Sequence, residues 1–230
     1  MVNTILFDLD GTLLPMDQEE FIKLYFKGLY IRFKDTYDFE TLEKTIWAGT
    51  KAMVENDGSK SNETVFWETA NKLMSLDRTV AEPEFYDFYE NDFIIAKGAT
   101  TASPIITGCI HRLKEKGYTI VAATNPLFPG NATRNRLRWA GFNPDDFALI
   151  TTYEDSHYCK PNIRYYEEIL GRLNKKPAEC IMVGNDNQED MCAETIGIKG
   201  HLITDCLINR GKAPITAAWQ GTFEEFSQLY

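Results

Sequence analysis

The chain has 230 residues (26.3 kDa), 43% of them hydrophobic and 25% charged, with 24 basic against 34 acidic side chains and a pI near 4.9. That length accommodates one large domain, or a main domain with an insertion. A net charge of −10 excludes duplex nucleic acid and anionic membrane surfaces as partners, because like charge repels them before short-range contacts form. No apolar run is long enough to span a bilayer, and the acidic start with no basic residues before Asp8 argues against a secretory signal. The five cysteines form no CxxC pair, so reduced thiols in a cytoplasmic protein are expected rather than a zinc site.

The first predicted element is a buried strand over residues 4–7, a short apolar, β-branched run that stops at an acidic turn. Residues 15–97 then read as helices only. One begins near Asp17, with Asp17 and Glu20 at capping-box spacing, and further helices are expected over 39–54, 61–74 and 83–93. This block holds 15 of the chain's 29 aromatic residues and a net charge of −7; most of the aromatics are expected to form a small core at helical spacing. Strands then return at 118–123, 148–151, 180–183 and 201–203, alternating with helical patterns at 105–116, 133–139, 163–173 and 189–195. Strands separated by helices of this length imply parallel βαβ units with helices on both faces. The expected fold is a doubly wound α/β core over 1–14 and 98–230, with an all-helical insertion over 15–97.

Four fragments carry the chemistry. Asp8 and Asp10, followed by Gly11 and Thr12, sit at the end of the first strand, where parallel sheets bind ligands. Two carboxylates on a buried central strand are costly without a cation. Gly184-Asn185-Asp186, with Asp190 four residues on, ends a later strand, and oxygen donors of this kind suit Mg²⁺. Thr124-Asn125 ends the strand at 118–123, and Lys160-Pro161 precedes a helix. Hydroxyl, amide and ammonium donors beside metal-binding carboxylates make a phosphate site.

In this order the fragments resemble the four motifs of the haloacid dehalogenase-like hydrolase superfamily, and the helical block resembles the cap found between the first and second motifs of its phosphoglycolate phosphatase-like branch. The resemblance implies a five-stranded Rossmann-like core of order 5-4-1-2-3 and a Mg²⁺-dependent phosphatase acting on a small phosphate monoester through an aspartyl phosphate. Asp8 is then the nucleophile, and Asp10 the acid and base. Asp8, the Asp10 backbone carbonyl and Asp186 would hold the metal, with Asn185 and Asp190 supporting them from behind. Thr124, Asn125 and Lys160 would bind the phosphoryl group, and Lys160 would orient Asp8. Asn185 departs from the usual Gly-Asp of the fourth motif, and alignment from Asp190 favours Asp186 as the ligand.

The segment Trp47-Ala48-Gly49-Thr50-Lys51 interrupts a helical pattern with a glycine. Similar caps reach the active site at this place, which makes Lys51 a candidate for contacting the leaving group. The alternatives are a β-phosphoglucomutase-like phosphomutase of the same superfamily, a phospho-accepting receiver module, or a silent binding protein on this fold. The sequence does not distinguish monomer from homodimer.

Overall fold

The computed structural model describes residues 1–229. Its centre is a parallel sheet of six strands, β1 (Thr4–Phe7), β2 (Thr119–Ala122), β3 (Leu149–Ile150), β4 (Cys180–Gly184), β5 (Lys199–Ile203) and β6 (Trp219–Gly221), in the order β3-β2-β1-β4-β5-β6. Five of these reproduce the expected order. The sixth is an addition: β6 pairs in parallel with β5, His201 opposite Trp219 and Ile203 opposite Gly221. It has no apolar run to announce it, being three residues of which none is fully buried.

β1 lies between β2 and β4, Phe7 opposite Ala122 on one side and Val183 on the other. Side chains alternate across the sheet. Ile5, Phe7, Ile120 and Val183 join one core with α5 (Pro104–Glu115), α6 (Gly130–Trp139) and α8 (Phe223–Leu229), whereas Leu6, Val121 and Met182 join another with α7 (Ile163–Leu173). The stretch expected as a helix over 189–195 is a short 3₁₀ segment, Met191–Ile196, ended by Gly197 in the left-handed region.

The insertion comprises α1 (Gln18–Phe33), α2 (Phe39–Val54), α3 (Asn62–Met74) and α4 (Arg78–Asn91), followed by a 3₁₀ turn at Phe93–Ala99. Each helix starts where a short polar side chain caps a free backbone N–H, and each such cap contributes about 1 kcal/mol. Asp17 accepts from Glu20, Asp38 from Thr41, Ser61 from Thr64 and Asp77 from Thr79. α4 starts five residues earlier than expected because the Asp77 cap, and not Pro83, marks its beginning; Pro83 lies inside the helix. Gly49 does not interrupt α2 either. A Cβ there would come within 2.5 Å of the Phe66 ring, so the glycine serves the close packing of α3 on α2.

The insertion joins the core through two chain segments that run side by side. Asp17 donates to the Ala99 carbonyl at 3.0 Å, and Thr101 donates to that of Pro15 at 2.9 Å. α3 docks separately on the core: Asn62 and Glu63 donate backbone N–H groups to Ser156 and Tyr153 at 2.8 and 2.9 Å. No helix among the described residues is long and apolar enough to cross a membrane.

Candidate active site

A cavity of about 260 Å³ lies between the C-terminal ends of the strands and the insertion. Asp8, Asp10, Thr124, Asn125, Asn185, Asp186 and Asp190 all line it, together with Glu189 and Arg210. Asp8 and Asp190, 182 sequence positions apart, thus converge because β1, β2 and β4 are neighbours.

Lys160 is the hub of the floor. Its ammonium donates to Asp8 Oδ1 at 2.8 Å and to Asp190 Oδ1 at 2.6 Å, and its side chain is 1% exposed. It lies behind the two carboxylates and does not line the cavity, so its charge is directed at Asp8 and Asp190. Burial opposes its charge, but Asp190 and Asp8 outweigh this and hold its pKa well above the ordinary value. Burial, reinforced by Asp190 and Asp10 and opposed by Lys160, pushes the Asp8 carboxyl up to about 8.

Asp190 supports the site from behind. Its Oδ1 takes Lys160 and its Oδ2 takes the Asp186 backbone N–H at 2.9 Å. Gly184 makes this possible, since a Cβ there would meet Asp190 Oδ2 at 2.1 Å. Asn185 turns toward the first loop, accepting from the Thr12 hydroxyl at 2.9 Å and donating to the Cys206 carbonyl at 2.7 Å. Its amide packs where a Cβ on Gly11 would stand, 2.3 Å away, and Gly11 itself has a φ of +91°.

Asp186 receives the Gln188 and Glu189 N–H groups on Oδ1, both at 2.9 Å, and the Arg210 guanidinium on Oδ2 at 2.6 Å. Thr124 is buried, and its carbonyl accepts from the Thr151 and Tyr165 hydroxyls at 2.7 and 2.9 Å. Asn125 spans two loops, donating to Glu189 Oε2 at 2.9 Å and accepting from the Lys160 N–H at 3.2 Å.

Two cations escape the sequence reading. Arg136 on α6 is fully buried, ion-paired with Asp10 Oδ2, and stacked 4.4 Å over the Phe128 ring. The available signal was an arginine on the apolar stripe of a helix, between Thr133 and Leu137, both buried. Arg210 opens a short 3₁₀ turn (Arg210–Lys212) between β5 and β6 and bonds Asp186 and, at 3.3 Å, Glu189; nothing in its local sequence marks it.

Lys51 takes no part in this arrangement. It lies on the outer face of α2, its side chain 75% exposed and 3.8 Å from Glu55, while Trp47 and Thr50 of the same helix line the cavity. With α2 unbroken, one residue step turns a side chain about 100° around the axis, which carries Lys51 away from the cavity that Thr50 faces.

The floor suits a hard cation. Asp8, Asp10, Asp186, Glu189 and Asp190 face Lys160, Arg136 and Arg210, a formal excess of two negative charges when every carboxyl is ionised. Asp10 Oδ1 is buried with no hydrogen-bond partner, an arrangement that is costly unless a charge compensates it. No group of three or more His, Cys, Asp or Glu side chains among the described residues is disposed to hold a metal; the ligand set expected here uses two carboxylates and a backbone carbonyl.

Comparison with known proteins agrees with this geometry. Residues 2–191 match the family described as haloacid dehalogenase-like hydrolase. Pyrophosphatase PpaX of Bacillus cereus (strain ATCC 10987) is 23% identical over 217 residues, covering 94% of this chain and 88% of that protein. Glyceraldehyde 3-phosphate phosphatase of Methanothermobacter thermautotrophicus is 26% identical over 205 residues, covering 85% and 82%. In fold the chain is similar to a phosphatase from Thermococcus onnurineus (TM-score 0.61, 20% identity, 99% and 97% covered) and to 2-haloacid dehalogenase from Pseudomonas syringae pv. Tomato (TM-score 0.65, 15% identity, 100% and 98% covered).

Proposed function

The chain belongs to the haloacid dehalogenase-like hydrolases, and from that membership we propose that it is a Mg²⁺-dependent phosphatase that hydrolyses a small phosphate monoester through an aspartyl phosphate on Asp8. The observation that carries the reading is the pairing of Asp8 with Lys160 at 2.8 Å beside Asp10, on one cavity floor. The residues that would hold the cation are Asp8, Asp186 and the Asp10 carbonyl. When bound, it supplies positive charge that lowers repulsion between a carboxylate nucleophile and a phosphoryl group.

In the first step an Asp8 oxygen attacks phosphorus, the bond to the ester oxygen breaks, and Asp10 gives that oxygen a proton. In the second, Asp10 takes a proton from water as the water attacks the phosphorus, and phosphate leaves with Asp8 restored. Lys160 keeps the Asp8 carboxylate aimed, and Asp190 keeps Lys160 in place. Arg136 holds one Asp10 oxygen. Thr124 and Asn125 supply donors to the phosphoryl oxygens from the end of β2.

The helical insertion over 15–97 is the cap of this enzyme, with the paired segments near Pro15 and Ala99 as its attachment. A leaving group enclosed beneath it meets no cation from the insertion, which supports hydrolysis over phosphoryl transfer within a sugar bisphosphate. An Asp10 acid also fits an oxygen leaving group that needs a proton.

The test is phosphate release from a panel of monoesters, with and without Mg²⁺, by the natural chain and by Asp8→Asn and Asp10→Asn. Asp8→Asn should abolish turnover. Asp10→Asn should slow esters with poor leaving groups by 10²–10⁴-fold and affect an activated aryl ester less. Full activity of Asp8→Asn would refute the assignment.

A further inference from the structure

We propose that the leaving group of the physiological ester is an uncharged aromatic or bulky apolar alcohol, and that the enzyme discriminates against esters whose leaving group carries a second anion. The inference rests on the phosphatase reading and sharpens it to a substrate class.

The cavity is divided by charge. All of its ionised residues belong to the floor, contributed by the strand ends and the loop at Arg210. The insertion carries 10 basic and 17 acidic residues, yet none of them lines the cavity. Its contribution is instead mainly aromatic, with Phe21, Tyr25, Phe26, Trp47, Phe66 and Tyr89 among eight aromatic rings, beside three aliphatic side chains and the uncharged polar Gln18 and Thr50. An insertion this rich in charge would meet the cavity with several charged side chains if its faces were not sorted, so the sorting marks the cavity wall as apolar by construction.

The wall is also built to stay uncharged. The Tyr25 and Tyr89 hydroxyls bond each other at 2.8 Å, and burial pushes Tyr25 up to about 12 and Tyr89 well above its ordinary value. Trp47 and Phe26 lie 5.5 Å apart with their rings inclined by 34°. Such a wall offers a flat ring offset-stacked and edge-to-face partners.

For an anionic leaving group the same wall is hostile. Arg210 is the one cation lining the cavity among the described residues, and it is held by Asp186 and Glu189 at the floor. A carboxylate or second phosphate directed at the insertion would be desolvated among aromatic rings with no counter-charge.

Three of the four substrates are alkyl esters of similar leaving-group chemistry, so that among them the wall and not the bond strength decides; pyrophosphate, an anhydride with a more reactive bond, sets a second anion against the same wall. The natural chain with Mg²⁺ is assayed with 2-phenylethyl phosphate, 2-hydroxyethyl phosphate, 2-phosphoglycolate and pyrophosphate. The expected kcat/KM for the phenylethyl ester exceeds that for the hydroxyethyl ester at least tenfold, chiefly through KM, with phosphoglycolate and pyrophosphate lower still. Trp47→Ala should raise the KM for the phenylethyl ester about tenfold. Thr50→Lys, which sets an ammonium on the wall, should raise kcat/KM for phosphoglycolate about tenfold relative to the phenylethyl ester. Phosphate release that is equal across the panel, or fastest with phosphoglycolate or pyrophosphate, overturns the proposal and leaves the phosphatase reading standing. Absence of Asp8-dependent release from every ester overturns that reading itself.

Discussion

Replacing Lys160 by Met should cost more stability than almost any other single change, and the cost should depend on pH in a definite direction. The side chain is 1% exposed, and its two partners, Asp8 and Asp190, are 12% and 1% exposed. Removing one partner of a buried ion pair costs about 3–5 kcal/mol because the remaining charge stays desolvated. Here the loss strands two carboxylates. The Asp8 carboxyl already stands at about 8 in the folded chain against 3.8 as an isolated group, and loss of Lys160 moves it higher. A carboxyl with a raised folded pKa stabilises the fold below its unfolded pKa, and that contribution is lost as pH rises through the folded value. At pH 5, Asp8 is therefore protonated with or without Lys160, and the deficit of Lys160→Met should be about 3 kcal/mol, from Asp190. At pH 9 Asp8 is mostly ionised beside Lys160, whereas without Lys160 it must either hold a proton or stay as an unpaired carboxylate; both add to the deficit, which should approach about 5 kcal/mol. For a chain of this length these correspond to falls in Tm of roughly 6–20 °C. Thermal unfolding of both proteins in metal-free buffer at the two pH values measures the difference. Adding Asp190→Asn to Lys160→Met should restore most of the loss at pH 5. A variant as stable as the natural chain, or a deficit smaller at pH 9 than at pH 5, would refute the reasoning.

Arg136→Met should lower stability by about 3–5 kcal/mol, read by urea unfolding, because Asp10 loses its buried partner; Arg136→Lys should recover part of this but not the stacking on Phe128. Gly184→Ala should reduce kcat at least tenfold while the chain still folds by circular dichroism, since the new methyl displaces Asp190 from Lys160 and from the Asp186 N–H. His201 is buried beside Trp219, and burial with the Lys199 charge pushes its pKa down from 6.5 to about 4. The unfolded chain then takes up a proton that the folded chain refuses, so stability falls as pH drops from 6.5 toward 4. The loss reaches about 2 kcal/mol at pH 5. His201→Leu should show a smaller decline in denaturant midpoint between pH 7 and pH 5 than the natural chain does.

The core was legible because its signals are local. A four-residue apolar run ending in Asp8, and a five-residue run ending in Gly184, each state both a buried strand and a polar strand end. The insertion was legible from the break in alternation, and the first of its helix starts from its capping residue, Asp17. What escaped depended on contacts between distant residues. β6 is a strand only because β5 offers it an edge. Pro83 is a common helix-start signal overridden by a better cap, Asp77, six residues upstream. Gly49 resembled an interruption because its function, admitting Phe66, belongs to α3. Lys51 followed from that error: a side chain expected beside an interrupted helix and directed at the site instead lies on an outward face of an unbroken helix.

Arg136 and Arg210 change how the acidity of the chain is understood. The net charge of −10 sits awkwardly with an anionic substrate if charge is considered only as a sum. The folded chain separates it. The charged side chains of the insertion are kept off the cavity, and those of the floor gather five carboxylates around three cations that come from three different parts of the sequence. With every carboxyl ionised, the remaining formal excess is two negative charges, concentrated where the proposed divalent cation would neutralise it. Field strength falls with distance and screening, so a phosphoryl group on this floor responds to these few neighbours and to the ion, while the outer acidity acts only on approach. On the proposed function it therefore disfavours large polyanions without weakening the hold on one buried phosphate.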